Sequence, residues 1–288
     1  MTLKAHYDTV LVEKRDGIAW VIFNRPEKKN AMNPQLHFDM EHVLMELETD
    51  AGIEVIVLTG AGDAWSAGMD LKEYFRDIDE DPTARFRASA ADHRWGWQIL
   101  SWSRKCTIAM VNGHCYGGAW IPLCACDFVI TAEDASFGLS EVNWGIIPGG
   151  LVSKVIRDVL SYRDALFYAL TGRTFDGRKA VEIGLANLAV PRERLREETE
   201  RLAQELMRKS PAVLAYTKQA VRAVAGMDVE RAYEYLGAKL DALRFNDAQQ
   251  TRRRGLEGFL DQKAYRPGYE PVARREPPAG GAARGGET

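Results

Sequence analysis

The stretch ASFGLSEVNWGIIPGG, residues 135–150, sets one carboxylate, Glu141, among Phe137, Leu139, Val142, Trp144, Ile146 and Ile147, and closes on a Pro-Gly-Gly turn. A carboxyl in such surroundings is either a turn cap or a group whose proton is put to use. Apolar neighbours disfavour the charged form, so the pKa of Glu141 is expected to rise toward working pH, where a group exchanges protons most readily.

Two glycine bends upstream supply what such a group would work beside. SAGMD at 66–70 and CYGGA at 115–119 each follow an apolar strand and precede a helix, which leaves unpaired backbone N–H groups and a positive helix end at the bend. Two such donors converging on one point would hold an oxyanion. Either bend alone is as readily a structural turn.

The rest of the chain places these bends in a repeating order. TVLVEK (9–14) and IAWVIF (18–23), joined by Arg-Asp-Gly, read as a hairpin. Asn33-Pro34 caps a helix running to about Asp50, with Leu36, Met40, Val43, Leu44 and Leu47 at helical spacing. IEVIVLTG (53–60) is a continuously apolar strand of the kind buried on both faces, and GAGDAWSAGMD (60–70) reads as loop. The order then returns: a helical segment with Trp95, Trp97, Ile99 and Leu100, the strand TIAMV (107–111), the bend NGHCYGG (112–118), a helix near 118–126 and the strand DFVIT (127–131). From about residue 150 the pattern turns helical, with segments near 150–158, 162–171, 177–183, 192–208, 211–225, 229–246 and 248–262. Strands are therefore expected in the first half and helices in the second. A soft boundary falls near residue 200, giving a core domain over 1–200 and a helical region over 201–270. The tail 271–288 is expected to be disordered, since its last stretch, REPPAGGAARGGET (275–288), holds no aliphatic residue larger than alanine.

Composition narrows the function classes. With 46% hydrophobic and 27% charged residues the 288-residue chain is an ordinary globular protein, and a net charge of −3 gives no overall field for a polyanion, which argues against nucleic acid as the main partner. No run of eighteen apolar residues and no apolar signal core at the N-terminus appear, so no membrane association and a cytoplasmic location are expected. Cys106, Cys115, Cys124 and Cys126 lack the spacing of a zinc site and read as reduced, partly buried thiols. His6, His37, His42, His93 and His114 are scattered, and the five-residue step from His37 to His42 does not share a helix face.

NRPEKKNAM (24–32), SAGMD, CYGGA and FGLSEVNWGIIPGG, in this order and at these separations, resemble the crotonase (enoyl-CoA hydratase/isomerase) superfamily over roughly residues 7–269. The resemblance implies an α/β fold, a crotonase-type spiral of repeated β-β-α units with a C-terminal helical trimerisation region, and a homotrimer or hexamer acting on acyl-CoA thioesters. It implies that the amides of Met69 and Gly118 hold the thioester carbonyl, that Glu141 exchanges the proton, and that Lys28, Ala67, Asp70 and Leu71 line the CoA path. Coenzyme A then belongs to the substrate and no separate cofactor is expected, since the thioester is its own electron sink.

Within that superfamily NRPEKKNAM, AGMDLKEYFR, FGLSEVNWGI and FLDQKAYRPG are similar to the 4-hydroxycinnamoyl-CoA (feruloyl-CoA) hydratase-lyases, which hydrate an aryl enoyl-CoA and split the product into an aromatic aldehyde and acetyl-CoA. Tyr74 then matches the tyrosine that meets the phenolic oxygen, and Ser140 and Trp144 flank Glu141 in the acyl pocket. Two positions depart from the pattern. Ile121 stands where hydratases carry a second glutamate and the hydratase-lyases a hydroxyl residue, and Gly237 stands where the latter have a second tyrosine. Tyr233 lies one helical turn before Gly237, whereas Tyr235 points ~200° away from that face. Trp120 reads equally as pocket wall or core. The alternatives are a hydratase, a Δ3,Δ2-enoyl-CoA isomerase working with a lone glutamate, or a non-catalytic CoA- or RNA-binding relative using Arg244, TRRRG (251–255) and Lys263.

Overall fold

The structure, a computed structural model, describes residues 6–264. Its first elements follow from local chemistry. Strands β1 (Val10–Arg15) and β2 (Ile18–Phe23) pair antiparallel from Val10↔Phe23 to Arg15↔Ile18. The turn between them places Asp16 at φ 49° and Gly17 at φ 80°, two successive positive values of the kind that match the twist of a tight hairpin. Helix α1 (Pro34–Thr49) begins where the Asn33 side chain accepts the Leu36 N–H at 2.9 Å, and it buries Leu36, Met40, Val43, Leu44 and Leu47, the stripe its spacing predicts. β3 (Val55–Gly60) is buried along its whole length.

From β3 onward one unit repeats: a strand in a large sheet, a strand of three residues in a small sheet, then helix. The first turn is β3, β4 (Ala64–Ser66), a π-type helical segment Leu71–Arg76, and α2 (Pro82–His93), which runs through a second π-type segment, Arg94–Ile99, into α3 (Leu100–Trp102). The second is β5 (Cys106–Val111), β6 (His114–Tyr116), a 3-10 turn Gly117–Ala119 and α4 (Trp120–Ala125). The third is β7 (Phe128–Ala132), β8 (Ser136–Gly138), a 3-10 turn Glu141–Trp144, α5 (Val152–Val159) and α6 (Tyr162–Thr171). β9 (Phe175–Asp176), α7 (Gly177–Glu182), β10 (Leu188–Val190) and α8 (Leu195–Met207) follow. The large sheet has the order β1-β2-β3-β5-β7-β10 and is parallel from β2 onward; the small one has the order β4-β6-β8-β9, with only β8 and β9 antiparallel.

Four strands correct the sequence reading. β4 lies in the stretch read as loop, β6 in the stretch read as a glycine bend, and β9 and β10 in the half read as helical. Strands of two or three residues show no alternation, and their pairing partners are distant in sequence. The core is mostly aliphatic, with several large aromatic rings set into it. Trp65, Trp95 and Trp120 are fully buried, and Trp120 meets Phe137 and Phe175 edge-on while donating its indole N–H to Cys115 O. Trp120 is therefore core. No disulfide joins Cys106, Cys115, Cys124 and Cys126.

The chain forms two compact units, one ending at Leu206 and the other starting at Met207. In the second, α9 (Pro211–Ala223) and α10 (Val229–Asn246) pack together. Lys239 reaches over the rings of Tyr216 and Tyr235 and donates to Gln219 Oε1 at 3.1 Å. α11 (Thr251–Leu256) continues into a π-type turn, Glu257–Asp261. Among the described residues no helix is long and apolar enough to cross a membrane. The tail at 271–288 and the end of FLDQKAYRPG lie outside the described residues.

Candidate active site

The bend carrying Met69 is built by NRPEKKNAM. The Arg25 guanidinium, buried, donates to Asp70 Oδ2 at 3.0 Å, to Glu73 Oε1 at 2.7 Å and to Ala31 O at 2.5 Å. Asn30 donates to Ala61 O and Ala64 O, and Ser66 Oγ donates to Asn30 O. An isolated bridge pairs Met32 with Met69: the Met32 N–H donates to Gly68 O and the Asp70 N–H to Met32 O, leaving the Met69 N–H outside the ladder. In the second bend the Trp120 N–H closes onto the carbonyls of Gly117 and Gly118. The Gly118 N–H, in the first turn, has no acceptor within its helix.

The two bends touch. Gly68 takes φ +90°, and a Cβ there would fall 2.6 Å from Tyr116 O and 3.3 Å from Gly118 N, so no other residue fits. Met69 and Gly118 both line one cavity of about 660 Å³, together with Ala67, Leu71, Tyr74, Ile121, Ser140, Glu141 and Trp144. That volume lies within the usual range for a site that encloses a small organic ligand.

Glu141 opens its 3-10 turn after Phe137 and Leu139 have anchored the preceding segment in the core. It is 9% exposed, and its Oε2 has no partner among the described residues. Burial raises its pKa above the ordinary glutamate value, in the direction expected from its neighbours. A Cβ on Gly117 would sit 3.3 Å from Glu141 Oε1, so the carboxyl stands directly against the bend that carries the Gly118 amide. The buried Glu141 carboxyl and the two bend residues Met69 and Gly118 thus line a single cavity.

The structure separates the remaining predicted residues. Ala67, Leu71, Tyr74, Ser140 and Trp144 line the cavity, Trp144 with 63% of its surface exposed. Lys28 is exposed at the end of the 3-10 turn Pro26–Lys28, away from the cavity lining. Asp70 is buried and caps Leu71–Arg76. Burial pushes its pKa up, but the Glu73 amide, Arg25 and the Lys72 amide outweigh this and hold it below the ordinary value. Its carboxylate therefore belongs to the scaffold of the bend. Ile121 is buried in the cavity wall. In the second unit Gly237 has open space where a side chain would be, Tyr233 is 80% exposed, and Tyr235 lies beneath Lys239. Arg244 pairs with Asp241 and Arg253 with Glu257, which leaves less of this basic stretch for an anionic partner.

Sequence reasoning passed over three groups near the cavity. Ser89 and Asp92, three residues apart on α2, both line it, and His37 from α1 lies behind Asp92. His37 Nδ1 accepts the Trp95 indole N–H at 2.9 Å, and complete burial lowers the imidazole pKa to about 3. His37 is thus neutral and carries its proton on Nε2. Nothing in the spacing of His37 and Asp92, on separate helices, signals that they meet.

The chain belongs to the enoyl-CoA hydratase/isomerase family, whose pattern it matches over residues 13–267. It is 49% identical over 276 residues to a hydroxycinnamoyl-CoA hydratase-lyase of Pseudomonas fluorescens, covering 95% of this chain and 99% of the relative. It is 33% identical to a putative enoyl-CoA hydratase of Thermus thermophilus, over 88% of this chain and 98% of that one. The fold superposes on the crystal structure of an enoyl-CoA hydratase from Bacillus anthracis with a TM-score of 0.80 at 25% identity, covering 88% and 97% of the two chains.

Proposed function

We propose that the protein is a hydratase-lyase for hydroxycinnamoyl-CoA thioesters of the feruloyl-CoA type. The observation that supports this reading is that Met69, Gly118 and Glu141 line one largely apolar cavity, with the Glu141 carboxyl against the bend at Gly117. The likeness to the Pseudomonas fluorescens hydratase-lyase supports the substrate class. The thioester carbonyl accepts from both amides, and Glu141 takes a proton from water as the oxygen adds at Cβ and returns it at Cα. In the second stage Glu141 takes the proton of the new β-hydroxyl, the Cα–Cβ bond breaks to leave an aromatic aldehyde, and the bonding pair becomes the acetyl-CoA enolate. The two amides hold that enolate until Glu141 protonates its carbon. The sum is enoyl thioester plus water giving aldehyde plus acetyl-CoA. Ala67 and Leu71, at the cavity edge, would lie along the CoA arm, and Tyr74 beside the ring hydroxyl.

One observation favours a second reading. Ile121 gives the wall no hydrogen bond for a water, which suits a Δ3,Δ2-isomerase with a lone glutamate. Feruloyl-CoA, cinnamoyl-CoA and a 3-enoyl-CoA, each incubated with the protein and analysed by mass, separate the readings. Vanillin with acetyl-CoA supports the lyase, a lasting β-hydroxy thioester a hydratase, and a shifted double bond an isomerase. Glu141→Gln is expected to lower the rate by about 10²- to 10⁴-fold; undiminished turnover removes Glu141 from the mechanism. The same reading takes the protein as a cytoplasmic homotrimer or pair of trimers, supported for the assembly by the exposed apolar residues Val229, Tyr233, Leu236 and Leu240 of α10 and for the compartment by four cysteines that no disulfide joins.

A further inference from the structure

The cavity has a second polar side that the chemistry above leaves unused. Asp92 is only 8% exposed and lines the cavity, yet its Oδ1 has no hydrogen-bond partner among the described residues. His37 Nδ1, 3.6 Å from it, cannot serve as a cation, because it already accepts the Trp95 N–H and the ring is neutral. Nor does the surrounding packing supply a donor: a Cβ on Gly96 would lie 3.5 Å from Asp92 Oδ1 and 3.8 Å from Ile121 Cγ2, so the carboxyl stands beside the apolar Ile121 wall. On its other side Tyr74 holds a hydrogen bond with Ser89 and turns its ring edge-to-face toward His37, with centroids 5.3 Å apart. Tyr74, Ser89 and Asp92 all face the cavity.

A buried carboxyl without a partner is costly, and the cost falls when a ligand supplies the missing bond. We propose that Asp92, with Tyr74 and Ser89, is the recognition site for a hydroxyl on the acyl group of the substrate, the Asp92 carboxyl bonding directly to the ring hydroxyl of an aryl thioester. This rests on the hydratase-lyase reading for the identity of the ring. Burial lifts the Asp92 carboxyl to about 7. It can therefore accept from the phenol when ionised and both donate and accept when protonated. A site built to bond a substrate hydroxyl discriminates strongly against the analogue lacking it, because its own polar groups are then left unpaired.

The test uses saturated thioesters that cannot react, so that its outcome is independent of turnover. 3-(4-Hydroxyphenyl)propanoyl-CoA and 3-phenylpropanoyl-CoA are titrated calorimetrically into the full-length protein and into Asp92→Asn, Asp92→Leu and Ser89→Ala. The parent protein is expected to bind the hydroxylated ligand more tightly, and Asp92→Leu to reduce the ratio of the two affinities by about 10- to 100-fold, with Asp92→Asn and Ser89→Ala reducing it less. Equal affinities in the parent protein, or an unchanged ratio in a folded Asp92→Leu or Asp92→Asn, overturn the proposal. If the hydroxyl preference holds and depends on Asp92 while feruloyl-CoA is not cleaved, the recognition site stands and the lyase reading falls.

Discussion

Glu141 and Asp92 are two carboxyls on one cavity, both raised by burial, and only one was visible in the sequence. Glu141 announces itself because its apolar neighbours are contiguous with it in the chain. Asp92 sits in ASAADHRWGWQIL, an unremarkable helical run, and becomes buried through α1 packing against α2, a long-range event. The sign of its effect on stability follows from its shift. An unfolded chain ionises Asp92 near its ordinary value of 3.8 and the folded protein only near 7, so between these values the folded state binds more protons. Stability is thus lost as pH rises through this window, by up to about 4 kcal/mol at roughly 1.4 kcal/mol per unit. Asp92→Asn is therefore expected to melt above the parent protein at pH 8 and to converge with it near pH 4, as read from urea denaturation at the two pH values. A variant that stays less stable at pH 8 would show that the carboxylate has a partner in the fold. Ile121→Ser, which puts a hydroxyl on the cavity wall, is expected to raise the hydration rate several-fold when the β-hydroxy thioester is followed by mass. A faster shift of a 3-enoyl double bond instead would favour the isomerase.

At the scale of elements, the two bends were legible and the strands leading into them were not. SAGMD and CYGGA carry glycines whose need is local: Gly68 at φ +90° and Gly117 at φ +52° are positions an L side chain resists. β4, β6 and β8 span three residues each, and only their register against one another brings Ser66, Cys115 and Phe137 side by side. Of NRPEKKNAM only Lys28 is expected from the sequence to line the CoA path; Arg25 and Asn30 clamp the first bend, Arg25 through the ion pair with Asp70 and Asn30 through the Ala64 carbonyl. Asp70→Ala would remove the cap of Leu71–Arg76 and strand the buried Arg25 guanidinium with Glu73 as its remaining carboxylate. Breaking a buried pair in this way costs about 3 to 5 kcal/mol. A matching drop in unfolding free energy is expected, together with a fall in kcat/KM, because the Met69 amide loses its fixed direction. Arg25→Met combined with Asp70→Ala, which leaves only the part-exposed Glu73 carboxylate, still accepting from Asn33 Nδ2, is expected to regain most of the stability but not the rate. Full recovery of both would place the pair outside the oxyanion geometry.

For the molecule as a whole, the order of helices could be read directly, whereas the spiral came from resemblance alone, since sheet order depends on pairings far apart in the chain. What the sequence could not display is which helix faces lack a partner. α10 buries none of its residues and leaves Val229, Tyr233, Leu236 and Leu240 exposed at steps of four, three and four, a single apolar stripe, with Phe245 91% exposed near its end. An exposed apolar stripe of that kind marks an interaction surface. The proposed trimer gives it an occupant, namely copies of this chain. Leu236→Lys with Leu240→Lys places two charges on the stripe, and burying either unpaired would cost several kcal/mol. Light scattering after gel filtration is expected to give a multiple of three chain masses for the parent and a single chain mass for the double variant, with α-helical ellipticity retained. A double variant that keeps the parent's mass would show that assembly runs through another face, and a monomeric parent would remove the trimer altogether.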